Sequence, residues 1–277
     1  MPRLGVLGWP VAHSRSPAIH NAALRSLGMT DWRYQRLPVP PELFAETARS
    51  LGASGFVGAN VTIPHKQAAL EIADRPSEAA AAIGAANTLI YDRDGAIAAE
   101  NTDAPGLLAA LGSSPLGMTA LILGAGGSAR AAAWALREGG AREVSVWNRT
   151  PERAGALARD LGVRAVSDPQ PAELLINCTS VGLERPAGTE ASAGEPQTLT
   201  QLGLSAARLA RYAQVVDMVY RADGPTELIA LASARGARTV DGREILLAQG
   251  AISFELWTGR KAPLEAMRGA LREQSAV

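Results

Sequence analysis

Residues 121–129 read Leu-Ile-Leu-Gly-Ala-Gly-Gly-Ser-Ala, and this run constrains the fold more than any other stretch of the chain. A short apolar segment, Thr119–Leu123, has the length and branching of a buried strand. It enters a Gly-x-Gly-x-x-Ala turn and then an alanine-rich helical stretch, Ser128–Glu138. Strand, glycine turn and helix in that order form the context in which a dinucleotide pyrophosphate can be held. Gly124 allows the tight turn, Gly126 allows close approach of the backbone, and Ala129 is small enough for helix and strand to pack. The helix start offers N–H groups and a positive dipole end to phosphate oxygens. An ordinary glycine-rich turn is the plain alternative, and the flanking strand and helix favour cofactor binding over it. Gly124, Ala125, Gly126, Gly127, Ser128 and Ala129 are therefore the candidate pyrophosphate-binding residues.

The next strand, Glu143–Trp147, decides between cofactors. An NAD site places an acidic residue at its end to hold the ribose hydroxyls. Here it ends in Asn148-Arg149-Thr150, with Arg153 on the first turn of the helix that follows. A guanidinium suits a 2′-phosphate. Asn148, Arg149, Thr150 and Arg153 thus point to NADP, with Thr150 also suited to cap the helix Pro151–Leu161. The other reading is a solvated basic helix start.

The same alternation extends along the chain. Strand-like runs at Leu4–Leu7, Trp32–Leu37, Gly55–Ile63, Leu174–Asn177 and Val215–Met218 alternate with helical stretches at Pro17–Leu27 and Pro41–Leu51. Ser16 reads as the cap of the first helix and Asp103 as the cap of a later one. Thr88–Asp92 and Ala96–Glu100 flank Asp94-Gly95 and read as a hairpin. The expected fold class is α/β with two domains, each on a mostly parallel sheet. One comprises residues 1–103 plus 238–277, with C-terminal helices returning to it; residues 104–237 form a Rossmann-like unit. Gly112–Gly117 reads as a link, and Gly188–Gln201 as a polar surface loop.

Composition excludes several classes. The chain has 277 residues and zero formal net charge, which argues against a polyanion partner. One cysteine rules out an intrachain disulfide, and the three histidines lack zinc-site spacing, so no metal is expected. There is no apolar run long enough to span a bilayer and no signal-peptide pattern. The expectation is a cytoplasmic protein that binds a small molecule, with neither nucleic acid nor membrane as partner. Monomer and homodimer both remain open.

Four polar segments fall at expected strand ends: Ser14-Arg-Ser16-Pro17, Asn60-Val-Thr-Ile-Pro-His-Lys66, Gly84-Ala-Ala-Asn87-Thr88 and Asn101-Thr102-Asp103. Singly, each has a structural explanation as a cap, turn or strand residue. Lys66, just after a buried-looking strand and a proline, is the exception. Together with Gly124–Ala129, Asn148–Thr150, Asn177-Cys-Thr-Ser180, Asp217-Met-Val-Tyr220, Gly242 and Gln249, they closely resemble the shikimate dehydrogenase family over essentially the whole chain. Ala104 and Leu183 stand where the family commonly has glycine and methionine.

The resemblance implies an enzyme that reduces 3-dehydroshikimate to shikimate with NADPH. Lys66 and Asp103 would be its catalytic pair. Ser14 and Ser16 would bind the substrate carboxylate, Thr62, Asn87 and Gln249 the ring oxygens, and Tyr220 would also face substrate. Met218 and Gly242 would lie near the nicotinamide, and the active site would be a cleft between the domains. A quinate-oxidising paralogue, another small-carbonyl reductase on the same scaffold, and a ligand-binding regulator without turnover are the competing readings.

Overall fold

Alternating βα segments dominate the chain, and the central strands Arg3–Gly8, Phe56–Val61, Thr119–Leu123 and Leu174–Asn177 are mostly buried and apolar, as helix-covered strands are. The computed structural model describes residues 1–183, 196–221 and 224–273. The chain divides into two units, Met1–Gly106 with Leu246–Val277, and Leu107–Ile245.

The first unit holds β1 (Arg3–Gly8), β2 (Arg33–Pro38), β3 (Phe56–Val61), β4 (Arg75–Pro76), β5 (Thr88–Tyr91) and β6 (Ile97–Glu100). Their spatial order is β2-β1-β3-β5-β6-β4. β1 runs parallel to β2 and β3, while β5 runs antiparallel to β3 and β6. This register shapes the site. The ends of β1, β3 and β6 and the start of β5 all lie on one edge of this sheet, since Leu7 pairs with Val61, Asn60 with Thr88, and Thr88 with Glu100. The unit's helices are α1 (Ser16–Ser26), α2 (Phe44–Ser50), α3 (Lys66–Glu71) and α4 (Glu78–Ile83), with α12 (Leu264–Glu273) packed against α1. α5 (Asp103–Leu111) and α11 (Gly242–Thr258) each begin in one unit and end in the other.

The second unit is wholly parallel. Its strands are β7 (Thr119–Leu123), β8 (Glu143–Trp147), β9 (Arg164–Ala165), β10 (Leu174–Asn177), β11 (Gln214–Asp217) and β12 (Arg238–Val240). They lie in the order β12-β11-β10-β7-β8-β9. The chain winds outward from β7 through β8 and β9, then returns to β10 on the other side of β7. The topological switch point therefore lies between β7 and β10, where doubly wound sheets bind their ligands. α6 (Gly127–Glu138) and α7 (Pro151–Leu161) pack on the sheet through Ala129, Ala132, Leu136, Ala154, Leu157 and Leu161. α8 (Gln197–Gln201), α9 (Ala206–Leu209) and α10 (Glu227–Ser233) belong to the same unit.

Several local expectations need correction. Residues 41–51 split into a 3-10 turn and α2. Gly112–Gly117 does not divide the units; the chain crosses within α5, whose Leu107 and Leu111 are already buried in the second unit's core. Residues 197–201 are helical, with Leu199 buried, while residues 188–195 lie outside the described residues. Among the described residues, no helix is long and apolar enough to cross a membrane, and no group of three His, Cys, Asp or Glu could hold a metal ion.

Candidate active site

The shared edge of the first sheet collects a buried polar floor. Beyond β3 the chain turns through Pro64 and places His65 in the core, stacked on Phe44 with centroids 4.4 Å apart. His65 Nε2 lies 2.8 Å from the Val39 carbonyl. A carbonyl only accepts, so the ring proton sits on Nε2. Burial holds the His65 pKa below the ordinary imidazole value, partly offset by that bond. Lys66 follows as the first residue of α3 and is 9% exposed.

Lys66 Nζ donates to Asp103 Oδ2 at 2.5 Å. The other carboxylate oxygen, Oδ1, accepts from Asn87 Nδ2 at 2.9 Å. The Asn87 amide cannot flip freely, because its Oδ1 accepts the Thr102 backbone N–H at 2.7 Å. Asn87 Nδ2 also approaches Thr102 Oγ1 and Gln249 Oε1, at 3.0 and 3.3 Å. Gln249 donates its own Nε2 to the Leu246 carbonyl at 2.9 Å, which turns its oxygen toward Asn87. Gly106 permits this close approach, since a Cβ there would lie 2.7–3.0 Å from Gln249 Cβ, N and Cα. Asp103 opens α5 but does not cap it; its carboxylate is taken by Lys66 and Asn87, and Asn101 Oδ1 accepts the Ala104 N–H instead.

Ser14 and Ser16 form a second small cluster. α1 begins at Ser16, with Arg15 in the cap position, so Ser16 does not cap it. A turn closed by Ser14 N to the Val11 carbonyl precedes the helix, the cap stands one residue earlier than expected, and Ser14 Oγ accepts the Ser16 N–H at 3.3 Å. Both serines are buried. Arg36 grips the Ser14 carbonyl through Nε and Nη2, at 3.1 and 2.8 Å. Thr62 bonds the end of β1 through its backbone, and its methyl lies where a Cβ on Gly8 would be. Lys66, Asp103, Asn87 and Gln249 thus share one hydrogen-bond network, whereas Ser14 and Ser16 bond to each other and Thr62 bonds to β1.

In the second unit the glycine turn divides into two kinds of position. Gly124 has φ +108°, and a Cβ would lie 3.1 Å from the Cys178 carbonyl. The protein's own packing demands that glycine. Gly126 has an ordinary φ of −91°, and a Cβ there would meet open space. Neither strain nor a protein neighbour calls for glycine at that position, and the open space leaves the backbone accessible to a ligand. Gly127 opens α6 with no side-chain cap, and Ala129 is fully buried behind it. Asn148 Nδ2 donates to the Thr150 carbonyl, shaping the turn after β8. Thr150 occupies the cap position of α7 but makes no cap bond, which corrects the capping expectation. Arg149 and Arg153 are exposed, and among the described residues neither forms an ion pair. Two exposed guanidinium groups without an ion pair, one on the turn after β8 and one on the first turn of α7 beside Glu152, suit a 2′-phosphate.

At the end of β11, buried Asp217 accepts from Thr226 Oγ1 (2.6 Å), Asn177 Nδ2 (2.9 Å) and Val219 N (3.0 Å). Burial pushes its pKa up to about 7 against these bonds. Gly242 presses on the same segment, since a Cβ would lie 2.6 Å from the Val219 carbonyl oxygen. Met218 Sδ lies 3.4 Å from Cys178 Sγ, and half-buried Tyr220 follows two residues later.

Sequence reasoning missed Arg36, Tyr34 and Ser253 as contributors. Ser253 stands one helical turn after Gln249, a spacing that puts both on one face and could have marked it. Nothing local marks Arg36.

Comparison with known proteins follows the same division. Residues 6–89 match the shikimate dehydrogenase substrate binding domain, 110–177 the shikimate/quinate 5-dehydrogenase family, and 242–272 the shikimate 5′-dehydrogenase C-terminal domain. The shikimate dehydrogenase (NADP(+)) of Methanothermobacter thermautotrophicus is 42% identical, covering 97% of this chain and 95% of that one. The structure of the Thermus thermophilus shikimate 5-dehydrogenase in complex with NADP(H) and shikimate is similar at TM-score 0.81 and 41% identity, covering 99% and 100% of the two chains. A ligand-free 5-ketofructose reductase of Gluconobacter sp. strain CHM43 is also similar, at TM-score 0.78 and 30% identity over 98% of each chain.

Proposed function

We propose, on the premise that this chain belongs to the shikimate dehydrogenase family, that it reduces 3-dehydroshikimate to shikimate with NADPH, reversibly. The observation that carries the proposal is the buried Lys66–Asp103 pair, held at 2.5 Å and braced by Asn87. A surface ion pair needs no such bracing and contributes little.

NADPH, when bound, supplies the hydride that reduces the substrate carbonyl carbon. As the carbonyl oxygen gains negative charge, the Lys66 ammonium stabilises it and supplies a proton. In the oxidative direction the same side chain receives the hydroxyl proton. Asp103 orients Lys66 through one carboxylate oxygen, while Asn87 fixes the other. Ser14 and Ser16, at the start of α1, donate hydroxyl hydrogen bonds to the substrate carboxylate, where the helix dipole adds to the attraction. The Arg36 grip on the Ser14 carbonyl holds that cluster in place. Thr62 and Gln249 take ring hydroxyls, and Tyr220 is a further substrate-binding residue. Asn87 has its amide shared among Asp103, Thr102 and Gln249, so its first role is to orient Asp103. Gly124–Ala129 hold the pyrophosphate, and Asn148, Arg149, Thr150 and Arg153 hold the 2′-phosphate. Met218 and Gly242 frame the nicotinamide.

The test is product identification. Purified protein incubated with 3-dehydroshikimate and NADPH yields shikimate, identified by chromatography against a standard. No shikimate, alongside turnover of 5-ketofructose, would move the assignment to another carbonyl reductase on this scaffold.

A further inference from the structure

Beneath the Lys66–Asp103 pair lies a second layer of buried polar groups that touches neither substrate nor cofactor in the proposed reaction. Its centre is Asn60, on β3 and 5% exposed. Asn60 Nδ2 lies 3.2 Å from the Asn87 carbonyl oxygen, 3.1 Å from Thr88 Oγ1 and 3.0 Å from Ser253 Oγ. A flipped amide would set oxygen against the Asn87 carbonyl, two acceptors facing each other. Nδ2 therefore stays on that side, and Oδ1 needs a donor on the other. Tyr34 provides it, with its hydroxyl donating to Asn60 Oδ1 at 2.8 Å.

Tyr34 is held firmly enough to act as a fixed post. Its backbone N–H and carbonyl pair with the Asn21 side chain at 2.9 Å each. Its ring stacks on His20 with centroids 4.3 Å apart and planes 3° from parallel, and Trp257 closes a further side at 6.2 Å. His20 and Asn21 belong to α1, whose first residue is Ser16. Tyr34 thus stands between the helix that begins at the carboxylate-binding serines and the amide beneath the catalytic pair.

On the other side of Asn60 the network continues to the pair itself. Asn60 holds the Asn87 main chain, and the Asn87 side chain holds Asp103 Oδ1. Ser253 Oγ lies 3.1 Å from Thr102 Oγ1, and the Thr102 N–H fixes the Asn87 amide. We infer that Tyr34 is a positioning residue for the reaction: its hydroxyl fixes the Asn60 amide, and through Asn60 it holds Asn87 and Asp103 in register with Lys66. This inference rests on the proposed dehydrogenase reading.

Removal of the hydroxyl in Tyr34→Phe keeps the ring and its stacking but removes the donor that sits 2.8 Å from the buried Asn60 oxygen. The amide then rotates toward other donors and loosens Asn87. The expected result in shikimate oxidation is a kcat about ten-fold lower, the kinetic equivalent of one buried hydrogen bond, with a raised KM for shikimate. KM for NADP+ stays within about two-fold, and melting falls by only a few degrees. A tyrosine that merely supports the fold would lower the active fraction and leave both KM values alone.

The step through Asn60 is tested by a double-mutant cycle. Added to Asn60→Ala, Tyr34→Phe produces no further loss of kcat. Full additivity in that cycle, or a folded Tyr34→Phe with wild-type kcat and shikimate KM, overturns the inference. If Tyr34→Phe does not fold, Ser253→Ala carries the test, since it removes the hydroxyl on the opposite side of the same amide; wild-type kinetics there overturn the inference equally. The wild-type protein in the same assay separates the two claims. Wild-type turnover with unaffected variants sinks only the positioning role, whereas a wild type inert toward shikimate sinks the underlying reading as well.

Discussion

The two units build their sites from different materials. In the first, the proposed chemistry rests on side chains: Lys66, Asp103, Asn87 and Gln249 are buried, mutually bonded and supported by further polar groups beneath them. In the second, the proposed recognition rests mainly on main chain, with a glycine turn and an uncapped helix start, joined by exposed Arg149 after β8 and exposed Arg153 in the first turn of α7. A buried side-chain network specifies one geometry and is costly to disturb. A backbone site tolerates change wherever no Cβ intrudes on the ligand. The first unit should therefore answer substitution mainly in kcat and shikimate KM, and the second mainly in NADP affinity.

The largest effect expected is on the first unit's side. Lys66→Ala lowers kcat about thousand-fold or more while circular dichroism shows a folded protein. Near-normal turnover would reduce the pair to a structural contact. On the second unit's side, Arg149→Ala raises KM for NADP+ by about ten- to hundred-fold and leaves NAD+ kinetics unchanged, measured by initial rates. Equal loss with both cofactors would remove the 2′-phosphate from the explanation. Within the glycine turn, Gly126→Ala raises KM for NADP+ about ten-fold with an unchanged melting temperature, because its Cβ meets no protein atom. Gly124→Ala instead costs about 1–2 kcal/mol of stability, read as a lower melting temperature, because its φ is positive and its Cβ meets Cys178.

A further expected effect separates the units by pH. Burial pushes the His20 pKa down to about 3 from the ordinary imidazole value of 6.5, and the Asn60 side chain only partly opposes this. The unfolded chain binds that proton more readily, so stability is complete above the unfolded value and is lost as pH falls toward the folded one. At pH 5 the loss is about 2 kcal/mol. Asp217 has the opposite sign: its folded pKa is raised to about 7, so its contribution is present at acid pH and declines as pH rises. Amide exchange at pH 5 against pH 7 should loosen α1 and β2 ahead of β10 and β11. The reverse order would contradict the assignment.

Legibility in the sequence also differed between the units. β7, β8, α7 and β10 begin and end where their apolar runs and turn residues predict. Each is a clearly patterned segment bracketed by Gly, Asn or Pro. β4 and β9 span two residues each and carry no period to read. α4 went unread although Ser77 caps it and left-handed Gly84 ends it, signals that were present in the sequence. Motif residues in the first unit were visible as types, but their partnerships were not. Asn60 and Ser253 stand 193 positions apart, and Tyr34 and Asn60 stand 26 apart on different strands. Only the paired strands and the returning helix bring them together. Cap positions failed for a related reason: Asp103 reads locally as a helix cap, and a tertiary partner, Lys66, claims its carboxylate.

Initial rates with the wild-type protein across four combinations, shikimate or quinate with NADP+ or NAD+, test both units at once. The substrate comparison reads the first unit and the cofactor comparison reads the second. The expected result is the highest kcat/KM for shikimate with NADP+, with a loss on changing either partner. Absence of nicotinamide reduction with shikimate, or a preference for NAD+, would contradict it.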